Sequence, residues 1–315
     1  MDIDNEHIDL FARPPMKTVH DRRNFLKTIA GVGAASVLGR PSEAQAGPQN
    51  VLSPHRKGVL VDTTICVGCR NCEWACKVAH DLPAGSLESF KDRSVFTSMR
   101  RMDSEALTVV NEYPNPRNPD LPYDVKSQCM HCDKPACLSA CIVGAFSKLE
   151  NGAVTWDGDM CIGCRYCMAA CPFQVPSFQY DKAIHPEIRK CDFCTSLQAK
   201  GELPACVNIC PVEALTFGDR DDLLRTAHDR IRRSPERYVD HVYGEYEVGG
   251  TSWMYLAGRE FDELQFPKVG TSPAPGTSEA IQHGIFAYFV PPVALYALLG
   301  AIMWLNKDRN KEESE

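Results

Sequence analysis

Residues 161–172 read Cys161-Ile162-Gly163-Cys164-Arg165-Tyr166-Cys167-Met168-Ala169-Ala170-Cys171-Pro172, four thiols in eleven residues with gaps of two, two and three, and a proline behind the last. Three cysteines at gaps of two on a tight loop wrap three corners of an iron–sulfur cube. The fourth stands one helical turn further on and points away from that cube, towards a neighbour, so a C-x2-C-x2-C-x3-C-P run serves two [4Fe-4S] clusters at once. Pro172 suits a chain that must leave the turn, because it has no backbone N–H to donate.

Working outward, the same spacing occurs upstream at Cys66, Cys69, Cys72 and Cys76. Between the two lie Cys129, Cys132, Cys137 and Cys141, with four residues in the middle gap. Downstream come Cys191, Cys194, Cys206 and Cys210, with eleven in the middle gap and Pro211 behind. These quartets use all sixteen cysteines, and none stands in the first 65 residues or the last 105. About one residue in twenty is thus a cysteine, short of the ~8–10% of a disulfide scaffold, and C-x2-C partners are poorly placed to bridge each other. Structural zinc takes C-x2-C pairs separated by longer loops, and the fourth quartet taken alone fits that description. The first and third crowd their thiols more than zinc sites do, and four quartets without a remainder favour cubes for the whole set.

The chain has 315 residues, 44% hydrophobic and 24% charged, which describes a globular protein. Its net charge of −7 argues against nucleic acid as a partner, because phosphate neutralisation needs surplus Lys and Arg. A length of 315 suggests about two domains, but the quartets repeat, and the expectation is an α+β fold with a duplicated ferredoxin-like core of short β-hairpins and helical turns. Asn151-Gly152 between two short apolar-polar segments is a hairpin signal. Strands are expected at 59–65 and around 214–217, and an amphipathic helix over 221–233. The core spans 47–220 and holds an insertion, 77–128, rich in proline. A C-terminal extension, 221–283, follows it and beyond that helix is irregular over 234–283. Both read either as cover over the clusters or as docking surface for a partner.

The ends read as addresses. Arg22-Arg23 followed by Asn24-Phe25-Leu26-Lys27 and a mild apolar run to Leu38 resembles a twin-arginine (Tat) export signal over 1–46. Asp21 departs from the usual Ser or Thr, and Ala44-Gln45-Ala46 before Gly47 makes a cleavage site. Tat export carries folded proteins, so an exported chain with iron–sulfur cysteines is self-consistent. Residues 284–305 are 22 in number without a charge, long enough to cross ~30 Å of hydrocarbon as a helix, although Pro291-Pro292 interrupts them and a buried core helix is the alternative. Lys307, Arg309 and Lys311 in the tail 306–315 assign that tail to the cytoplasm and the cluster core to the periplasmic side. No ionisable side chain within the span offers a proton path.

The four-quartet order resembles the electron-transfer subunits of respiratory molybdoenzymes and hydrogenases, and within them the HybA-type subunits of hydrogenase-2. The segments that carry the resemblance are Cys66-Val67-Gly68-Cys69, Gln128-Cys129-Met130-His131-Cys132, the third quartet, Tyr243-Gly244-Glu245, Gly249-Gly250-Thr251 and Glu279-Ala280-Ile281-Gln282-His283. It implies four [4Fe-4S] clusters with ligands exchanged between quartets. One takes Cys66, Cys69, Cys72 and Cys210, and a second Cys191, Cys194, Cys206 and Cys76. A third takes Cys129, Cys132, Cys137 and Cys171, and the fourth Cys161, Cys164, Cys167 and Cys141. It further implies a wire without catalytic residues, between the subunits of a [NiFe] hydrogenase and an integral-membrane quinone-reactive subunit. The rival of the same class is the electron-transfer subunit of a periplasmic molybdopterin oxidoreductase such as formate dehydrogenase; the rival of another class is a zinc-stabilised membrane-anchored scaffold. His131 reads as packing or as a potential-tuning group, and His283 as an interfacial residue in preference to a haem ligand.

Overall fold

The computed structural model describes residues 53–54, 56–116, 118–276 and 293–304. β1 (Lys57–Asp62) carries Val59, Leu60 and Val61 in succession. An unbroken apolar run marks a strand covered on both faces, and all three are 0–1% exposed. After the first quartet enters α1 (Asn71–Ala79), the insertion makes two 3₁₀ turns, Leu87–Lys91 and Arg93–Thr97, and then pairs β2 (Thr108–Tyr113) antiparallel with β3 (Tyr123–Gln128). The second quartet contains α2 (Ala136–Ser139), and β4 (Phe146–Lys148) pairs with β5 (Val154–Trp156) across Asn151-Gly152. α3 (Tyr166–Ala170) follows in the third quartet, then the minimal hairpin of β6 (Ser177–Phe178) and β7 (Ile188–Arg189). α4 (Thr195–Gln198) and α5 (Ala205–Asn208) frame the fourth quartet, and β8 (Leu215–Asp219), α6 (Arg220–Arg233) and β9 (Trp253–Leu256) complete the order.

β1 is the middle strand of a three-stranded sheet, antiparallel to β8 and parallel to β9. Alternation divides its side chains. Val59 and Val61 join Trp253 and Tyr255 in the main core beside the cysteines, while Leu60, Met254 and Leu256 face Leu223, Ala227 and Ile231 of α6. Those α6 residues recur every four positions, the stripe of a helix lying on a sheet. Burying a side chain such as Leu223 or Ile231 stabilises by ~2 kcal/mol. Asp221 and Asp222 at its start and Arg230, Arg232 and Arg233 at its end oppose the helix dipole.

The two segments read from sequence as cover or docking surface are threaded into the interior. β9 comes from the segment behind the fourth quartet, and its four residues are 0–1% exposed. The insertion contributes Val109, Val110 and Val125, buried to the same degree. Among the described residues no helix is long and apolar enough to cross a membrane. Residues 293–304 of the expected span 284–305 are helical, with Leu295, Leu298 and Ile302 exposed. The rest of that span lies outside the described residues, as do the export signal 1–46, His283 and the tail 306–315.

Candidate metal centres

The four cysteine loops share one backbone device. In each, the residue before the second cysteine is left-handed: Gly68 at φ 62°, His131 at 49°, Gly163 at 69° and Phe193 at 67°. That turn aims the residue's N–H back at the first sulfur. Gly163 N donates to Cys161 Sγ and Phe193 N to Cys191 Sγ, each at 3.4 Å, and Gly68 N donates likewise to Cys66. A second recurrence lies three residues behind the last cysteine of the second, third and fourth loops, where Gly144, Gln174 and Glu213 are also left-handed. There Ala145 N reaches Cys141 Sγ at 3.2 Å.

Glycine is needed at Gly68, where a Cβ would stand 2.2 Å from Asp124 Oδ1. His131 and Phe193 carry side chains through the same left-handed conformation, and their rings pack 4.9 Å apart at a tilt of 34° in the interior, linking the second and fourth loops. His131 Nδ1 accepts the Val154 N–H at 2.8 Å. The ring proton is therefore on Nε2, which is buried with no partner among the described residues.

Folding brings the thiols together in fours. Cys66, Cys69, Cys72 and Cys210 line one cavity with Val61, Val110 and Leu215. Cys129, Cys132, Cys137 and Cys171 line another with Val154 and Phe173. Cys191, Cys194 and Cys206 lie within electrostatic reach of Cys76, and Cys167 within reach of Cys161, Cys164 and Cys141. Each group takes three thiols from one loop and one from another. The exchange is made where α1 packs on α5 and α2 on α3. The groups stand in a row within electrostatic reach of one another: first to second through Cys72 and Cys206, second to third through Cys191 and Cys129, third to fourth through Cys137 and Cys167.

Burial governs the chemistry of these sulfurs. Desolvation pushes Cys66, Cys137 and Cys194 up to about 12 and Cys167 to about 11, and lifts Cys72, Cys132 and Cys191 well above the usual thiol value. Bare, these sulfurs are neutral thiols at neutral pH; a coordinated metal ion removes such protons outright. All sixteen are free thiols. Sulfur-only donor sets suit zinc or iron–sulfur clusters. Three-plus-one sharing between neighbouring loops, backbone N–H groups on sulfur, and apolar walls match the cluster and not the zinc site, which draws on two C-x2-C pairs.

Several residues that hold the site were not singled out by the sequence reading. Glu73, 2% exposed on α1, accepts from Arg70, from Arg100 and from the Val110 N–H at 2.6 Å, which fastens the insertion to the first loop. His80 bridges Cys76 O at 2.7 Å and Asp192 Oδ1 at 2.8 Å. Desolvation works against its charge, but Asp192 and Cys76 outweigh it and raise His80 to about 11. Arg220 donates to the carbonyls of Thr251, Gly244 and Glu245 at 2.7–3.0 Å. Ser252 N in turn donates to Met130 O at 3.1 Å. The Tyr243-Gly244-Glu245 and Gly249-Gly250-Thr251 segments thus form a strap over the second loop. A charged residue isolated in the sequence carries no sign that it will be buried, so only the pairing of strands distant in the chain exposes these roles.

These features define a ferredoxin-like iron–sulfur protein. Residues 123–220 match the family model described as a 4Fe-4S dicluster domain. The chain is 33% identical to the hydrogenase-2 operon protein HybA of Escherichia coli O157:H7 over 91% of its own length and 95% of that protein. It is 50% identical to a protein of Nitratidesulfovibrio vulgaris Hildenborough over 81% of its length and 69% of that protein's. Its identity to the iron-sulfur subunit of the nitrate-inducible formate dehydrogenase of Escherichia coli K12 is 33%, over 62% of this chain and 66% of that one. The chain belongs to the HybA-type family of ferredoxin-like iron–sulfur subunits, the electron-transfer subunits of hydrogenases and respiratory oxidoreductases.

Proposed function

We propose that the chain holds four [4Fe-4S] clusters on the four groups of thiols and serves as the wire between a periplasm-facing [NiFe] hydrogenase and an integral-membrane quinone-reactive subunit. The carrying observation is the row of four groups, each with four thiols in electrostatic reach or around one cavity. Ligands are Cys66, Cys69, Cys72 and Cys210 for the first cluster, and Cys191, Cys194, Cys206 and Cys76 for the second. Cys129, Cys132, Cys137 and Cys171 hold the third, and Cys161, Cys164, Cys167 and Cys141 the fourth. Once bound, the clusters supply one-electron storage, with potentials set by burial and by hydrogen bonds to sulfur. The chain itself keeps water out with Val61, Val110 and Leu215, and donates backbone N–H groups to Cys161, Cys191 and Cys141.

In this reading residues 1–46 are a Tat leader and 47–220 the cluster core. Residues 221–283 cover it and dock the partner, 284–305 anchor it, and 306–315 lie in the cytoplasm. The anchor is supported by 22 consecutive uncharged residues and by the exposed apolar helix at 293–304. Anaerobic purification from membranes tests the whole: four irons in each of four clusters, about sixteen per chain, with nickel in the co-purifying complex. A colourless protein carrying zinc and no labile sulfide overturns the wire. The likeness to a formate dehydrogenase iron-sulfur subunit favours a second reading with a molybdenum partner, and the metal in the co-purified complex, nickel or molybdenum, decides between them.

A further inference from the structure

Lys126 is among the largest fully buried side chains of the described residues, and the ligand set leaves its role open. It lies on β3 at 2% exposure, in the wall of the cavity lined by Cys66, Cys69, Cys72 and Cys210. Its Nζ is 2.7 Å from Thr108 Oγ1 and 2.7 Å from Gln128 Oε1, and 4.5 Å from the centre of the Trp253 ring. The surrounding hydrogen bonds are all directed. Thr108 gives its own hydroxyl proton to Ser127 O, and the Gln128 amide nitrogen donates to Tyr255 Oη, which donates to Lys126 O. Both oxygens facing Nζ are therefore acceptors, and the ring face takes the third side. The pocket is built for an ammonium ion.

That ion has no carboxylate. No ion pair forms with it among the described residues, although Lys148, its side chain 5% exposed, has Asp133 at 3.8 Å. The charges within its reach belong instead to Cys72 of the first group and to Cys206, Cys191 and Cys76 of the second. A buried cation without a counter-ion is strongly disfavoured. A cube held by four thiolates is anionic and becomes more so on reduction.

Resting on the cluster assignment above, we propose that Lys126 is the shared counter-charge of the first and second clusters and raises the reduction potentials of both. A fixed positive charge in a dry interior favours the state with the extra electron. Between two clusters it favours that state at both. Lys126 is a positioning charge and touches no substrate.

The test is an EPR-monitored redox titration of the purified holo-complex for wild type, Lys126→Met and Lys126→Arg, with iron and labile sulfide counted in each. The expected result is full iron in the methionine variant and two of the four potentials lowered. A tenfold weakening of reduction at each corresponds to ~59 mV for a one-electron couple. The other two potentials stay put, and the arginine variant stays near wild type. Four unmoved potentials at full iron, or four moved equally, overturn the counter-charge while leaving the wire intact. Wild-type protein without iron overturns the wire itself. If the methionine variant fails to load, Lys126→Gln and Lys126→Arg decide: loading restored by arginine and not by glutamine supports the charge, and failure of both overturns it in favour of shape alone.

Discussion

Around the first and second groups of thiols the chain has laid a three-stranded sheet, a helix of 14 residues and the hairpin of the insertion. Around the third and fourth it has two hairpins, with strands of three and two residues, and, at the third alone, the strap that pairs Thr251 with Cys132. The consequences show in the sulfurs. Cys76, Cys191, Cys194 and Cys206 of the second group are all buried, whereas Cys164 of the fourth is exposed. Beside it Ile162 and Tyr166 are 62% and 55% exposed, and Ile142 is 74% exposed. The same loop, with the same left-handed turn, therefore serves two environments. What separates them is how much distant chain folds over the loop.

The comparison breaks most visibly at the ligands. Cys206→Ser leaves a hydroxyl in a dry site, and we expect it to lose about a quarter of the iron and to lower the unfolding midpoint of the whole molecule. Cys164→Ser should lose no more iron and leave the midpoint nearly unchanged. Metal analysis and anaerobic thermal unfolding of the pair read both effects, and equal destabilisation would deny any difference between the halves.

A smaller effect belongs to the cover. Trp253→Ala empties a site at 1% exposure and should cost ~3–5 kcal/mol by denaturant titration, together with the aromatic face under Lys126. Trp156→Ala, at the half-buried edge of the second hairpin, should cost about 1–2 kcal/mol. The smallest test lies in the loops themselves. Both Gly68 and Gly163 are left-handed, so alanine costs ~1–2 kcal/mol at either. At Gly163 the new Cβ meets the Phe178 ring at 3.5 Å, an ordinary contact, whereas at Gly68 it meets the Asp124 carboxylate at 2.2 Å. Gly68→Ala should therefore be the more damaging by at least ~1 kcal/mol, and the reverse order would mean that Asp124 yields freely.

Some of this was legible in the chain. The hairpin at Asn151-Gly152 forms as expected, with Gly152 at φ 88°. The helix expected at 221–233 runs Arg220–Arg233, and the strands expected at 59–65 and 214–217 run Lys57–Asp62 and Leu215–Asp219. Such features rest on local propensity and period. The two irregular segments gave no such signal. Trp253-Met254-Tyr255-Leu256 is apolar throughout, but a short apolar run does not reveal its partner, and its parallel pairing with β1 joins residues nearly two hundred positions apart. Lys126 and Glu73 were equally silent, because a charged residue looks solvated until the fold encloses it.

Cysteine spacing by itself determined the thiol inventory and the cluster type, because a loop short enough to wrap a cube leaves its geometry in the count between residues. The tertiary structure alone shows which fourth thiol lies beside which three, the row in which the groups stand, and the burial that separates the second group from the fourth. Each of those depends on segments that meet across the fold, and a one-dimensional pattern holds no distance between them.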